Sequence, residues 1–115
     1  MRGDEERVIV AFCSWLEHEG WTVDREVSFV DVLACRDGVT LYAEAKGRTT
    51  SPGLDVDTMY GQLLRRMTDS DPSARYAVVV PTLAVAAANR VPSHVRDLLR
   101  VEVYGVDENG AVTRQ

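Results

Sequence analysis

The dipeptide Asp37-Gly38 constrains this chain more than any other feature. It separates two β-prone runs, Phe29 to Arg36 and Val39 to Lys46, and an Asp-Gly link between such runs marks a two-residue hairpin whose turn positions both need positive φ. The turn sets the register. Arg36 faces Val39, and each step back along one strand matches one step forward on the other, so Asp31 is predicted directly opposite Glu44.

Alternation along a strand then sorts the side chains. One face of the hairpin reads Val30, Val32 and Ala34 against Leu41, Ala43 and Ala45, a set suited to burial under helices. The other carries Asp31, Glu44 and, two residues further on, Lys46. Paired residues on one face of an antiparallel ladder have β-carbons about 4.5 to 5.5 Å apart, and like charges there repel. A divalent cation offsets that repulsion, because hard ions such as magnesium take carboxylate oxygens. The plainer alternative is a surface face on which Lys46 makes an ordinary salt bridge to Glu44 or Asp31.

Around the hairpin the chain reads as αβββαβααβ. Asp4 can cap a first helix with Val8, Ile9, Phe12 and Leu16 at helical spacing, ended by Gly20. Trp21 to Glu26 is a further strand. After a loop containing Ser51-Pro52-Gly53, a second helix is capped by Asp55 or Asp57 and buries Val56, Met59, Tyr60, Leu63 and Met67. Tyr76 to Val80 is a continuous apolar run that fits a strand buried on both faces. Thr82 can cap the next helix, and Val91-Pro92 divides that stretch into two, roughly 83 to 90 and 92 to 99. Val101 to Val106 is a strand, and Asn109-Gly110 a final turn.

With 115 residues and no internal repeat, a single domain over 1–115 is expected. Cys13 and Cys35 lie inside apolar runs and read as reduced core residues. The first residues lack the basic flank and apolar core of a signal peptide, and no run is long enough to span a bilayer, so a cytoplasmic protein without membrane association is expected. A net charge of −5 argues against a protein that coats nucleic acid non-specifically, but not against an enzyme whose acidic residues hold cations.

Val30-Asp31, twelve intervening residues and then Glu44-Ala45-Lys46 resemble the signature of the PD-(D/E)xK superfamily, which includes restriction endonucleases and Holliday-junction resolvases. The order helix, three-stranded meander, helix, strand is similar to that family's core over about residues 5 to 81. Val30 stands where the motif has proline. The resemblance implies an α/β restriction endonuclease-like αβββαβ core with a C-terminal helical segment and an added strand or hairpin, its mixed sheet flanked by helices.

It further implies a magnesium-dependent endonuclease acting on DNA, or less readily RNA, with manganese able to substitute. Asp31, Glu44 and the Ala45 carbonyl would be metal ligands, and Lys46 would orient water or stabilise developing charge. The family often adds a glutamate from its first helix, for which Glu6, with Glu5 as second choice, would serve. Acidic residues in a first turn also simply complement the helix dipole. Gln62, in Tyr60-Gly61-Gln62, is similar to a glutamine that reaches the site in several branches, although a solvated polar face explains it equally. Arg48, Arg65 and Arg66 could meet phosphate. His18 and His94 have no ligand-spaced neighbours and read as packing or surface residues. A homodimer, or a subunit of a larger complex, is expected because duplex DNA has two strands. The rival reading is a catalytically silent domain of this fold that binds nucleic acid or protein.

Overall fold

The computed structural model describes residues 2–115, with side chains from Asp4 onward. Met1, part of the N-terminal stretch read above, lies outside the described residues. Val8, Phe12 and Leu16, four residues apart, form the buried stripe of the first helix, α1 (Arg2–His18). The helix starts before Asp4, so this residue sits in the first turn rather than at the cap. Its carboxylate accepts from Arg7 Nε at 3.0 Å and from the Arg48 backbone N–H. Gly20, at φ +92°, ends the helix, and the Trp21 N–H folds back to the Leu16 carbonyl at 3.0 Å.

An antiparallel meander follows: β1 (Thr22–Val27), β2 (Val30–Arg36) and β3 (Val39–Ala45). Asp37 and Gly38 have φ of +52° and +80°, and Arg36 pairs with Val39, Cys35 with Thr40 and so on to Val32 with Ala43. This is the register that the turn predicts.

The next helix, α2 (Pro52–Arg65), begins a turn earlier than Asp55 or Asp57 would set it. Pro52 stands in its first turn, where a missing N–H is no loss, and Ser51 precedes it. Asp55 is instead a first-turn acid. β4 (Arg75–Pro81) runs parallel to β3, and β5 (Val101–Val106) parallel to β4. Between them lie a 3-10 turn (Thr82–Ala84) and the short helices α3 (Val85–Ala88) and α4 (Ser93–Leu99). Thr82 is the first residue of the 3-10 turn rather than its cap, a position that Pro81 occupies. The antiparallel β6 (Val112–Arg114) completes an open, mixed six-stranded sheet in the order β1-β2-β3-β4-β5-β6. The α/β class and flanking helices agree with the sequence reading.

The sheet has a core on each face. Phe12, Leu16 and Val8 of α1 pack on Val32, Ala34, Leu41, Ala43, Ala77 and Val79. Val56, Met59 and Leu63 of α2 pack on Tyr76, Val78, Val80 and Val103. Both faces of β4 are therefore covered, which is why its residues from Tyr76 onward are all buried. Alternation does the rest: Ala43 and Ala45 point into the α1 core, so Glu44 between them faces the α2 side. Neither cysteine is the core residue that its apolar run suggests: Cys13 is half-buried, and Cys35, on the opposite strand face from buried Ala34, is exposed. Among the described residues, no helix is long and apolar enough to cross a membrane.

Candidate functional site

Glu44 is the one buried charged or polar side chain among the described residues, only 7 % exposed. The ladder's paired positions end at Val32 and Ala43, and one further step along both strands puts Asp31 opposite Glu44. Here the Asp31 side chain does what main chain does elsewhere. Its Oδ2 accepts the Ala45 backbone N–H at 2.8 Å, at the point where β2 leaves β3.

The two carboxyls face one another across the hairpin, close enough that Asp31 bears on the ionisation of Glu44. Burial, followed by the neighbouring Asp31 carboxylate, pushes the Glu44 carboxyl up to about 8; Arg66 works against the shift and Glu5 adds to it.

Asp31, Glu44, Ala45, Lys46 and Gln62 line one polar cleft of about 290 Å³. Three further residues share it: Glu5, Phe29 and Arg66. Gln62 and Arg66 are one turn apart on and just beyond α2, off the stripe that α2 buries, and that flank of the helix borders the cleft. Lys46 continues from β3, its N–H donating to the Val79 carbonyl at 3.0 Å, and its side chain is half-buried. No carboxylate among the described residues forms a salt bridge with Lys46, so the plain surface bridge to Glu44 or Asp31 is not what the structure contains.

Glu6 lies elsewhere. It forms a two-pronged ion pair with Arg25 of the edge strand β1 at 2.6 and 2.9 Å and does not line the cleft. Consecutive helical residues diverge by about 100°, so only one of Glu5 and Glu6 can face the cleft. The docking of α1 selects Glu5: Gly47 passes so close to it that a β-carbon there would lie 2.3 Å from the Glu5 nitrogen. Phe29 belongs to the site for a reason that residue types conceal. Sequence alternation places it at the start of a strand, whereas it is the second residue of the β1–β2 turn. A large aromatic beside the predicted acidic pair was the available signal.

Among the described residues, no group of three or more His, Cys, Asp or Glu side chains is placed to hold a metal ion. The donor set is smaller: two carboxylates and a main-chain carbonyl. It nonetheless fits a hard divalent cation, which takes oxygen ligands and retains waters. A carboxyl pair that coexists only by keeping a proton is one that a cation would relieve.

No family model matches this chain, and neither does any curated protein. Solved structures do. An XisH family protein from Nostoc punctiforme is 17% identical, with a TM-score of 0.59 over 96% of this chain and 95% of that one. An fdxN element excision controlling factor protein from Anabaena variabilis is also 17% identical, with a TM-score of 0.60 over 98% and 97% of the two chains. Over nearly its whole length the chain therefore has the fold of these two proteins.

Proposed function

We propose that this chain is a metal-dependent nuclease that hydrolyses phosphodiester bonds, with DNA as its substrate and magnesium or manganese as its ion. The observation that carries the reading is the Asp31–Glu44 pair, a buried glutamate facing a half-buried aspartate, with Lys46 in the same cleft. Asp31, Glu44 and the Ala45 carbonyl would hold the ion, which when bound supplies Lewis acidity and a more acidic water. Glu44 would give up its proton to solvent on loading. Lys46 would bring positive charge to where negative charge grows on the phosphate, and the Gln62 amide would orient substrate or water. Arg66 adds positive charge beside Glu44, in a protein whose net charge of −5 would otherwise repel DNA.

Nuclease assays on linear, branched and single-stranded DNA with magnesium or manganese test this reading. Cleavage is expected, and Lys46→Ala abolishes it; activity that survives Lys46→Ala puts the chemistry elsewhere. Calorimetric titration tests the ion. Absent binding, or binding unchanged by Asp31→Ala, removes the metal site.

A second reading is a silent domain that binds nucleic acid or protein as one subunit of a homodimer or larger complex. It draws on the description of the Anabaena variabilis protein as an excision controlling factor. Nucleic-acid binding without cleavage on any substrate would decide for it.

A further inference from the structure

The β1–β2 link is a two-residue turn, since Val27 pairs with Val30. Its residues, Ser28 and Phe29, both have positive φ, +56° and +64°. Turns of this kind favour asparagine, aspartate and glycine, and a bulky aromatic in the left-handed region is an outlier. Strained backbone of that sort concentrates at functional sites.

The strain is not offset by burial. Phe29 is 84 % exposed, the largest value among the exposed large hydrophobic residues described. It is nevertheless held in place. Arg66 Nε donates to the Phe29 carbonyl at 3.2 Å, and the guanidinium carbon lies 5.3 Å from the ring centroid. The same arginine borders the Asp31–Glu44 cleft, and so does Phe29.

An open aromatic ring backed by guanidinium, at the rim of a cleft suited to a phosphate, is the arrangement that stacks on a nucleobase while its backbone is held alongside. A base inside a duplex offers no free face. We infer that Phe29 stacks on an unpaired base next to the phosphodiester in the cleft, so that the preferred substrate is a strand with an unstacked nucleotide: single-stranded DNA, a frayed end or a branch. This rests on the nuclease reading and adds to it a substrate class and a positioning residue.

The test is binding of 2-aminopurine-labelled single-stranded, branched and fully paired oligonucleotides, with calcium replacing magnesium to hold back cleavage. Phe29→Ala should lower affinity for the single-stranded and branched probes roughly tenfold. Affinity for the paired probe and the heat of metal binding should be unchanged, and Phe29→Trp should restore stacking, seen as quenching of the new indole. Equal losses on all probes, or none on any, overturn the inference. So does a sedimentation shift from dimer to monomer in Phe29→Ala, which would make the ring a contact between copies of this chain. If Lys46→Ala abolishes cleavage while Phe29→Ala leaves strand preference intact, the stacking role alone fails. If the unaltered protein binds none of the probes, both readings fall.

Discussion

Glu44 faces Asp31 across the β2–β3 hairpin, and its burial, reinforced by the neighbouring carboxylate, pushes the Glu44 carboxyl up to about 8. Its folded value of about 8 lies above the 4.5 of the free group. The folded protein thus holds a proton that the unfolded chain has released. The associated stabilisation is complete below about pH 4.5 and is lost as pH rises through 8. Glu44→Gln keeps a neutral side chain facing Asp31 and removes the titration. Relative to the unaltered protein it should gain about 1 to 2 kcal/mol between pH 4.5 and pH 9, since relaxation absorbs much of the nominal cost of a buried charge. Thermal unfolding across that range measures the gain. A difference between the two proteins that does not vary with pH would contradict a proton held on Glu44.

The same proton bears on metal loading. If magnesium takes the place of the Glu44 proton, binding at pH 7 releases about one proton per site, and binding at pH 9 releases almost none. Calorimetry at each pH, in two buffers of different ionisation enthalpy, reads the release directly. Equal heats in both buffers at pH 7 would mean that the ion does not displace this proton.

The hairpin and its acidic pair were legible because one dipeptide, Asp37-Gly38, dictates both turn conformation and register. β4 was legible for a different reason, since only a strand covered on both faces carries a run such as Tyr76 to Val80. What escaped was decided by contacts between distant segments. Whether Glu5 or Glu6 faces the cleft depends on how α1 lands on the loop after Lys46, where Asp4 takes the backbone N–H of a residue 44 positions away. Ser28-Phe29 contains none of the asparagine, aspartate or glycine that a turn with positive φ at both positions favours, so local chemistry gave no warning that Phe29 leaves the strand. Pro52 looked like a breaker and is a helix starter, two roles that proline plays at neighbouring positions.

The two glutamates of the first helical turn should behave differently. Glu5 borders the cleft and raises the Glu44 value through its charge, so Glu5→Gln should weaken magnesium affinity severalfold and lower the titration midpoint of Glu44. Glu6 is committed to Arg25 on another side of the helix, and Glu6→Gln should leave the metal titration unchanged. Calorimetric titration of both variants decides. A reversed order would mean that α1 rotates on loading to present Glu6.

Gly47 is the hinge of that arrangement, because the loop after Lys46 and the first turn of α1 meet there backbone to backbone. A β-carbon at position 47 would lie 2.3 Å from the Glu5 nitrogen and 2.8 Å from the Asp4 carbonyl carbon, and neither can swing aside as a flexible side chain would. Gly47→Ala must therefore push α1 off the loop, at a cost of about 1 to 3 kcal/mol, and with it move Glu5 away from the cleft. Gly61 supplies the contrast within α2, where an added β-carbon meets nothing within 4 Å. There the gain in helix propensity should raise stability by about 0.5 to 1 kcal/mol. Thermal unfolding of the two alanine variants should thus move in opposite directions, with metal affinity falling only in Gly47→Ala. A neutral Gly47→Ala would show that the helix and loop do not meet in this way and would remove the reason for preferring Glu5.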